Sequence, residues 1–102
     1  MPSYQFTDES KDDLIQIRQY TIKQWGVEQS QRYLSDLRNT LRMLADNPLL
    51  GRPRDDVAKG AFSFPHQSHA IYYFTKPKGI VVFAVLHKRM LPIHHLTQRT
   101  QM

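Results

Sequence analysis

The hydrophobic and polar positions of the chain follow two different periods, one in each half. Up to about residue 50, apolar residues recur every three or four positions, which is typical of helices that pack on one face. After residue 50, apolar residues form short continuous or alternating runs rich in β-branched and aromatic side chains, which is typical of strands. The pattern therefore predicts helices first and a sheet second.

The clearest helical signal runs from Val27 to Ala45. Its apolar stripe rises in steps of three and four residues: Val27, Ser30, Leu34, Leu37, Leu41 and Leu44, with Tyr33 and Ala45 on the edges. Asn47-Pro48 ends the helix. Because the leucine seam covers fewer than three heptads, we expect it to pack on the chain's own sheet rather than to form a dimer zipper.

A second helix precedes it. Tyr4–Phe6 is a short alternating piece typical of an edge strand, Thr7 is a suitable N-cap, and Gly26 is placed to end the helix. Asp12 and Asp13, in its first turns, are interpreted as complements of the helix dipole. The predicted apolar face consists of Leu14, Ile15, Ile17, Thr21, Ile22 and Trp25. Two helices joined at one glycine predict an antiparallel hairpin.

The second half predicts three strands and a final short helix. Gly51–Asp56 has a loop-like composition, and Lys76–Gly79 has the composition of a hairpin turn. The predicted strands are Ala61–Phe64, His69–Phe74 and Ile80–Leu86, and the predicted helix is Pro92–Arg99. The last strand is almost wholly apolar, which favours a central position covered on both faces.

These elements predict an α+β fold. We expect an N-terminal short strand, an antiparallel helical hairpin packed on one face of a mainly antiparallel sheet of 3–4 strands, and a short C-terminal helix. The chain has 102 residues, which suits one domain over residues 1–102.

Composition limits the functional classes. The chain has no cysteine, which excludes disulfide scaffolds, cysteine-ligated metal sites and thiol nucleophiles. No apolar run reaches the ~18 residues of a membrane span and no signal peptide is visible, so we expect a cytoplasmic protein without a membrane partner. Residues 1–50 carry 6 Lys/Arg and 7 Asp/Glu, whereas residues 51–102 carry 8 and 2. The basic second half predicts an acidic partner, either nucleic acid or protein.

Several short motifs together resemble a known family. Asn47–Arg54 closes the helical hairpin, His69–Phe74 is an aromatic strand, and Ile80–Met90 is a long apolar run that ends in basic residues. These motifs and their order, with the ending Leu86–Leu96 as the best match, resemble the ParE branch of the RelE/ParE toxin superfamily over roughly residues 4–96.

The resemblance implies a toxin of a type II toxin–antitoxin pair, of the kind associated with plasmid stabilisation. Its partners would be a ParD-like antitoxin, in a hetero-oligomer, and DNA gyrase, through its A subunit, with DNA. ParE-type toxins stabilise the cleaved-DNA complex of gyrase and need no cofactor, whereas RelE-type relatives cut mRNA on the ribosome. Since the two branches share a fold, only the residues can separate them.

The residues favour binding over catalysis. A ribonuclease needs a general base, a general acid and cations around one phosphate, and His87 with Arg89 would be the catalytic candidates. The dense basic cluster and C-terminal tyrosine of the ribonuclease branch are missing, since no tyrosine follows Tyr73. His87 is also interpreted as a strand-end residue that orients a loop.

We therefore expect no catalytic residue and a target-binding surface. The candidate contacts are basic residues of the second half: Arg52, Arg54, Lys59, His87, Lys88 and Arg89. No metal site is expected, because His94 and His95 are adjacent and would point about 100° apart on a helix.

Overall fold

The computed structural model describes residues 2–90 together with Pro92, Leu96 and Arg99. The helices are α1 (Asp8–Trp25) and α2 (Val27–Asp46), followed by the short 3-10 helix Pro48–Leu50. The strands are β1 (Ser3–Phe6), β2 (Arg52–Pro53), β3 (Ala61–His66), β4 (His69–Lys76) and β5 (Gly79–His87). The predicted α+β fold is confirmed.

The strands form one sheet in the order β1-β5-β4-β3-β2. β1 runs parallel to β5, and the other three pairs are antiparallel. The sheet has five strands instead of the expected 3–4, because two residues of the predicted loop, Arg52 and Pro53, pair with Ser63 and Phe62. This two-residue strand is too short to leave a pattern in the sequence.

β5 lies between β1 and β4 and is buried on both faces, as its apolar run predicted. A bulge interrupts its pairing with β4: Tyr72 lies opposite Ala84 and Tyr73 opposite Val82, so that Phe83 is the extra residue. The bulge shifts the alternation of side chains. Val82 and Val85, three positions apart, therefore both face the helices.

The helices cover one face of the sheet. The predicted stripe of α2 is confirmed at its centre, where Leu37, Leu41 and Leu44 are at most 1% exposed. They pack with Ile71, Tyr73, Ile80, Val82 and Val85 of the two central strands. At the start of α2 the stripe fails, since Val27 is 55% exposed.

The ends of α1 are as predicted, and its buried face is confirmed in part, since Ile17 and Thr21 are buried and Leu14 packs against the core. The Thr7 side chain accepts a hydrogen bond from the Ser10 backbone N–H at 3.3 Å, and Gly26 ends the helix with a φ of 92°. Ile15 and Trp25 were expected to be buried, but they are 54% and 46% exposed. The buried residues are Ser10, Asp13, Ile17 and Thr21.

The second face of the sheet carries its own apolar layer, here called the second-face cluster: Ala61, Tyr72, Phe83, Ala84, Leu86 and Leu96. Val57 and Ala58, from the loop after β2, pack against this cluster. The predicted helix Pro92–Arg99 and the pair His94-His95 lie largely or wholly outside the described residues. Leu96 is nevertheless described, and it is 1% exposed.

Two features are absent from the described part of the chain. Neither α1 nor α2 is apolar enough to cross a membrane. Over the same residues, no three His, Cys, Asp or Glu side chains come together as a set that could hold a metal ion.

Candidate functional site

The structure divides the six predicted contact residues between two ends of the sheet. His87, Lys88 and Arg89 are at the end of β5, where His87 lies opposite His69 at the start of β4. Arg54 donates its backbone N–H to Ala61, which lies opposite Phe74 near the far end of β4. The strand between these two positions of β4 spans about 17 Å. The predicted residues therefore form two basic groups rather than one.

At the β2 end, Arg54 is already engaged. Its Nε and one terminal nitrogen donate to the two Asp56 carboxylate oxygens, each at 2.9 Å, and its guanidinium carbon lies 5.6 Å from the centre of the Tyr72 ring. The hydrogen bond to Asp56 raises the pKa of Arg54, and the same bond lowers the pKa of Asp56. Arg54 therefore brings a partly neutralised charge to this end.

Arg52 and Lys59 complete the β2-end group, and both are exposed. Asp55 accepts a hydrogen bond from the Gly60 backbone N–H at 2.9 Å and so closes the loop that carries Lys59. No ion pair of either cation is found among the described residues. Unlike Arg54, these two predicted side chains can be approached directly by a partner.

At the other end, α1 and the end of β5 enclose a groove of about 380 Å³, here called the β5-end groove. His69, His87, Arg89 and the exposed Tyr20 line it. Of the six predicted residues, His87 and Arg89 are the two that share a groove.

The geometry of His87 is that of a residue that orients a turn. Its Nδ1 accepts a hydrogen bond from the Arg89 backbone N–H at 3.1 Å, and its carbonyl accepts one from the Met90 N–H at 2.9 Å. Since Nδ1 accepts, the proton of the neutral ring lies on Nε2. The ring packs edge-on against His69 with 5.5 Å between centroids.

A buried polar cluster behind this groove was not predicted. The Tyr33 hydroxyl lies 2.5 Å from Nδ1 of His69, and the Thr40 hydroxyl lies 3.0 Å from Nδ1 of His66. Burial raises the pKa of Tyr33 to about 12, while burial and then the neighbouring His87 and His66 lower the pKa of His69 to about 4. Burial also lowers the pKa of His66. At neutral pH Tyr33, His66 and His69 are therefore uncharged.

Asp13 has a different role from the predicted one. Its carboxylate accepts hydrogen bonds from the Val85 backbone N–H at 3.0 Å and from two Arg99 guanidinium nitrogens at 2.6 and 3.0 Å. Arg99 also donates to the Phe83 carbonyl at 3.3 Å, and its bond to Asp13 raises its pKa. Asp13 thus joins α1 to β5 and to the C-terminal segment, beyond any complement to the helix dipole.

A second, apolar groove lies between the two helices and β1 and is here called the hairpin groove. Its volume is about 250 Å³, and its walls come from Tyr4, Phe6, Leu14, Ile15, Leu34, Leu37 and Leu41. Arg18 of α1 and Arg38 of α2 also line it. The exposure of Ile15 follows from its place in this open groove.

Comparison with known proteins now assigns the chain to a family. Residues 4–92 match the family model described as ParE toxin of type II toxin-antitoxin system, parDE. A protein named Toxin ParE1 from Caulobacter vibrioides is 31% identical over 96 residues, which cover 94% of this chain and 99% of that relative. The chain belongs to the ParE toxin family.

Two further likenesses agree with this assignment. A Toxin ParE1 from Mycobacterium tuberculosis is 32% identical over 88 residues, or 85% of this chain and 90% of that protein. A solved chain from the chromosomal ParDE TA system of P. aeruginosa has a TM-score of 0.72, with 20% identity, over 85% of this chain and 96% of that one. At that identity, the solved ParDE chain supports the fold alone. This ParE-family chain is therefore a toxin of a type II toxin–antitoxin system.

Both basic groups and both grooves lie within the residues that match the ParE model, whereas Arg99 lies beyond them. Tyr33 and Asp13 are the residues that sequence reasoning missed at the site. In the sequence, Tyr33 looked like a residue at the edge of the apolar stripe of α2. Asp13 looked like one of several acidic residues near the start of α1.

Proposed function

We propose that this toxin inhibits DNA gyrase by binding. It would hold the A subunit of gyrase together with its cleaved DNA, in the cytoplasm, without a cofactor and without a catalytic step of its own. Membership of the ParE family supports the toxin assignment, and the basic second half of the chain supports an anionic or acidic target.

The observation that carries the proposal is the hydrogen bond from the Arg89 backbone N–H to Nδ1 of His87. A general base needs an unprotonated nitrogen directed at the proton it removes. In neutral His87, Nδ1 is occupied by the turn and Nε2 carries the proton. Asp13, which lines the same groove, is already paired with Arg99. This arrangement supports an orienting role for His87 and a toxin that acts by contact.

The separation of the two basic groups supports the same conclusion. Stabilising the phosphorane of RNA cleavage needs cations gathered around one phosphate. Arg89 follows the end of β5, whereas Arg52 lies on β2, about 14 Å across the sheet and level with Tyr72, about 10 Å along β4 from His69. Duplex DNA carries one negative charge per ~1.7 Å of its axis, so two such groups can each meet a different part of a large anionic target.

The proposed antitoxin is a ParD-like chain that forms a hetero-oligomer with the toxin. An extended segment ending in a helix would bury apolar side chains in the hairpin groove and place acidic residues near Arg18 and Arg38. Affinity should then fall only partly when salt is raised, because salt screens the charges and leaves the apolar contact. Complete loss of binding at moderate salt would contradict this interface.

A supercoiling and cleavage assay with purified gyrase tests the main proposal. Added toxin should block supercoiling and increase the amount of cleaved plasmid, while a translation reaction with ribosomes continues. Unaffected gyrase together with mRNA cut on the ribosome would reject gyrase as the target and favour RelE-like endoribonuclease activity.

One observation favours that alternative enough to test it directly: His87 and Arg89 line the same groove. The His87→Gln variant keeps a hydrogen-bonding side chain but cannot transfer protons near neutral pH. A ribonuclease that uses His87 would lose roughly 10²–10⁴-fold in rate. A binding toxin should stay toxic, with a melting temperature close to that of the wild type.

A further inference from the structure

The short 3-10 helix after α2 holds two leucines in solvent. Leu49 is 77% exposed and Leu50 is 53% exposed, and neither belongs to an apolar cluster. We call this pair the leucine tip. Single exposed apolar residues are common on protein surfaces, but these two are adjacent and form one continuous apolar patch.

The leucine tip is held from inside the core. The Tyr73 hydroxyl donates a hydrogen bond to the Pro48 carbonyl at 2.6 Å and accepts one from the Gly51 N–H at 3.0 Å. Tyr73 itself is fully buried. Within the turn, the Leu50 N–H donates to the Asn47 carbonyl at 3.1 Å. The backbone on both sides of the two leucines is therefore fixed by one buried side chain.

Gly51 makes this anchoring possible. A Cβ atom at this position would lie 2.3 Å from the Tyr73 hydroxyl oxygen and 2.9 Å from the ring carbon that bears it. The backbone of Gly51 has an ordinary φ of −70°, so the glycine is explained by this close approach. A side chain at position 51 would therefore disturb the hydrogen bonds of Tyr73 that fix the leucine tip.

A fixed apolar projection suits a particular kind of partner. Its backbone is ordered before binding, so little conformational entropy is lost in the complex. Because the tip is convex, it needs a pocket, and a folded protein has pockets whereas an extended peptide has none. The hairpin groove is concave instead, so it suits a peptide whose own apolar side chains insert into it.

The charge beside the tip narrows the choice further. Arg52 follows Gly51 directly and is exposed, Asp46 is exposed at the other side of the turn, and the chain as a whole has a formal charge of +5. A complementary pocket would therefore have an apolar floor for the leucines and an acidic side chain on the part of its rim that faces Arg52.

We propose that the leucine tip is the toxin's apolar anchor on its target, inserting into an acid-rimmed pocket of a folded protein. The inference rests on the proposed function, under which that protein is gyrase. It separates the target-binding surface from the antitoxin-binding hairpin groove.

The test uses the full-length double variant Leu49→Ala/Leu50→Ala. Its melting temperature should match that of the wild type, since both side chains are exposed. The concentration that half-inhibits gyrase supercoiling should rise at least about tenfold, because burying one leucine is worth about one to two powers of ten in affinity. Val27→Ala, which truncates a side chain that is 55% exposed elsewhere on α2, should change nothing. Leu49→Met/Leu50→Met, which keeps the apolar volume, should inhibit nearly as well as the wild type.

The outcomes separate the two proposals. If the wild type inhibits gyrase and the double alanine variant inhibits it equally well, the anchor is wrong and the proposed function stands. If the wild type leaves gyrase unaffected, the proposed function is wrong, and growth arrest on expression then tests the anchor. Loss of growth arrest in the folded double alanine variant, but not in Val27→Ala, would support an anchor on another folded target, whereas unchanged arrest would overturn it.

Discussion

The two helices of the hairpin lie on the same sheet but bury different chemistry. α2 buries an apolar stripe centred on Leu37, Leu41 and Leu44. Of the four residues that α1 buries, Ile17 is the apolar one, and the others are Ser10, Asp13 and Thr21. Because buried polar side chains need hydrogen-bond partners, the buried face of α1 must pack against groups that can supply them.

That partner is the edge of β5. β1 pairs with β5 only from Gly79 to Val82, and beyond that point α1 lies against the strand. The Ser10 hydroxyl donates to the Val82 carbonyl at 2.9 Å, and the Asp13 carboxylate accepts from the Val85 N–H at 3.0 Å. Asp13 thus bonds the strand edge beyond its pairing with β1, and Ser10 adds a second bond to the Val82 carbonyl, which also accepts from the Thr7 backbone N–H at 3.0 Å.

The comparison shows what decides the composition of a buried helix face. Where α2 meets side chains of the sheet, apolar residues suffice. Where α1 meets the backbone N–H of Val85, an apolar residue in place of Asp13 would leave this buried donor without that partner, at a penalty of about 1–3 kcal/mol. The predictions below test this difference, beginning with the largest expected effect.

Leu37→Ala tests the apolar helix. Leu37 is 1% exposed at the middle of the α2 stripe, so truncation should leave a cavity and reduce the free energy of unfolding by about 2–5 kcal/mol. Urea unfolding measures this loss. Met43→Ala, at a 39% exposed position of the same helix, is the matched control and should change stability by less than about 0.5 kcal/mol. Equal effects of the two variants would contradict the assigned core.

Acid should weaken the buried contact between Tyr33 of α2 and His69 of β4. The pKa of His69 is about 4 in the fold and about 6.5 in the unfolded chain, so the unfolded state binds more protons between these values. This contribution to stability is complete above about pH 6.5 and falls by up to about 3 kcal/mol as the pH drops through 4. The lowered pKa of His66 acts in the same direction.

Unfolding by urea at several pH values between 7 and 4 measures this loss. His69→Gln is the control, because glutamine can accept the Tyr33 hydrogen bond but does not titrate in this range. The variant should lose less stability than the wild type over the same interval. Parallel curves for the two proteins would show that His69 is not the titrating group.

These two sites also show what the sequence could predict. The α2 stripe was predictable, since periodicity is a local property and Leu37, Leu41 and Leu44 lie on successive turns. The face of α1 was not, because Asp13 finds its partners Val85 and Arg99 72 and 86 residues along the chain. A pair of acidic residues in the first two turns of a helix looks the same in the sequence whether the carboxylate is solvated or buried.

In the candidate site, too, the local features could be predicted from the sequence and the long-range contacts could not. The basic ending His87–Arg89 was predictable because its residues are adjacent, and the structure places His87 and Arg89 in one groove. Its distance from the other basic group depends on the register of β3, β4 and β5, which no local pattern encodes. The contact of Tyr33 with His69 spans 36 residues, and the sequence gives no sign of it.

Asp13→Ala tests the polar helix. The change leaves the Val85 N–H and the Arg99 guanidinium without their carboxylate, and we expect a loss of about 1–3 kcal/mol in the free energy of unfolding. The value is below that of a fully buried pair because the Arg99 side chain is 20% exposed. Asp12→Ala, at the exposed neighbouring position, should change stability by less than about 0.5 kcal/mol.

A double-mutant cycle with Asp13→Asn and Arg99→Gln separates the ion pair from the bond to β5. The loss in the double variant should be smaller than the sum of the two single losses, because either change already breaks the pair. Strict additivity would mean that the pair contributes nothing and that the bond to Val85 carries the effect of Asp13.

Ser30→Ala tests the single polar contact between the two helices that the structure describes, and it should have the smallest effect. The Ser30 and Thr21 hydroxyls lie 2.6 Å apart in the buried seam of the hairpin. Removing one hydroxyl leaves Thr21 bonded to the Ile17 carbonyl at 2.8 Å, so no donor is orphaned, and the expected loss is about 1 kcal/mol. Ser35→Ala, an exposed serine on the same helix, is the matched control for helix propensity in the same urea experiment. A loss as large as that of Asp13→Ala would show that α1 depends on this hydroxyl pair as much as on the edge of β5.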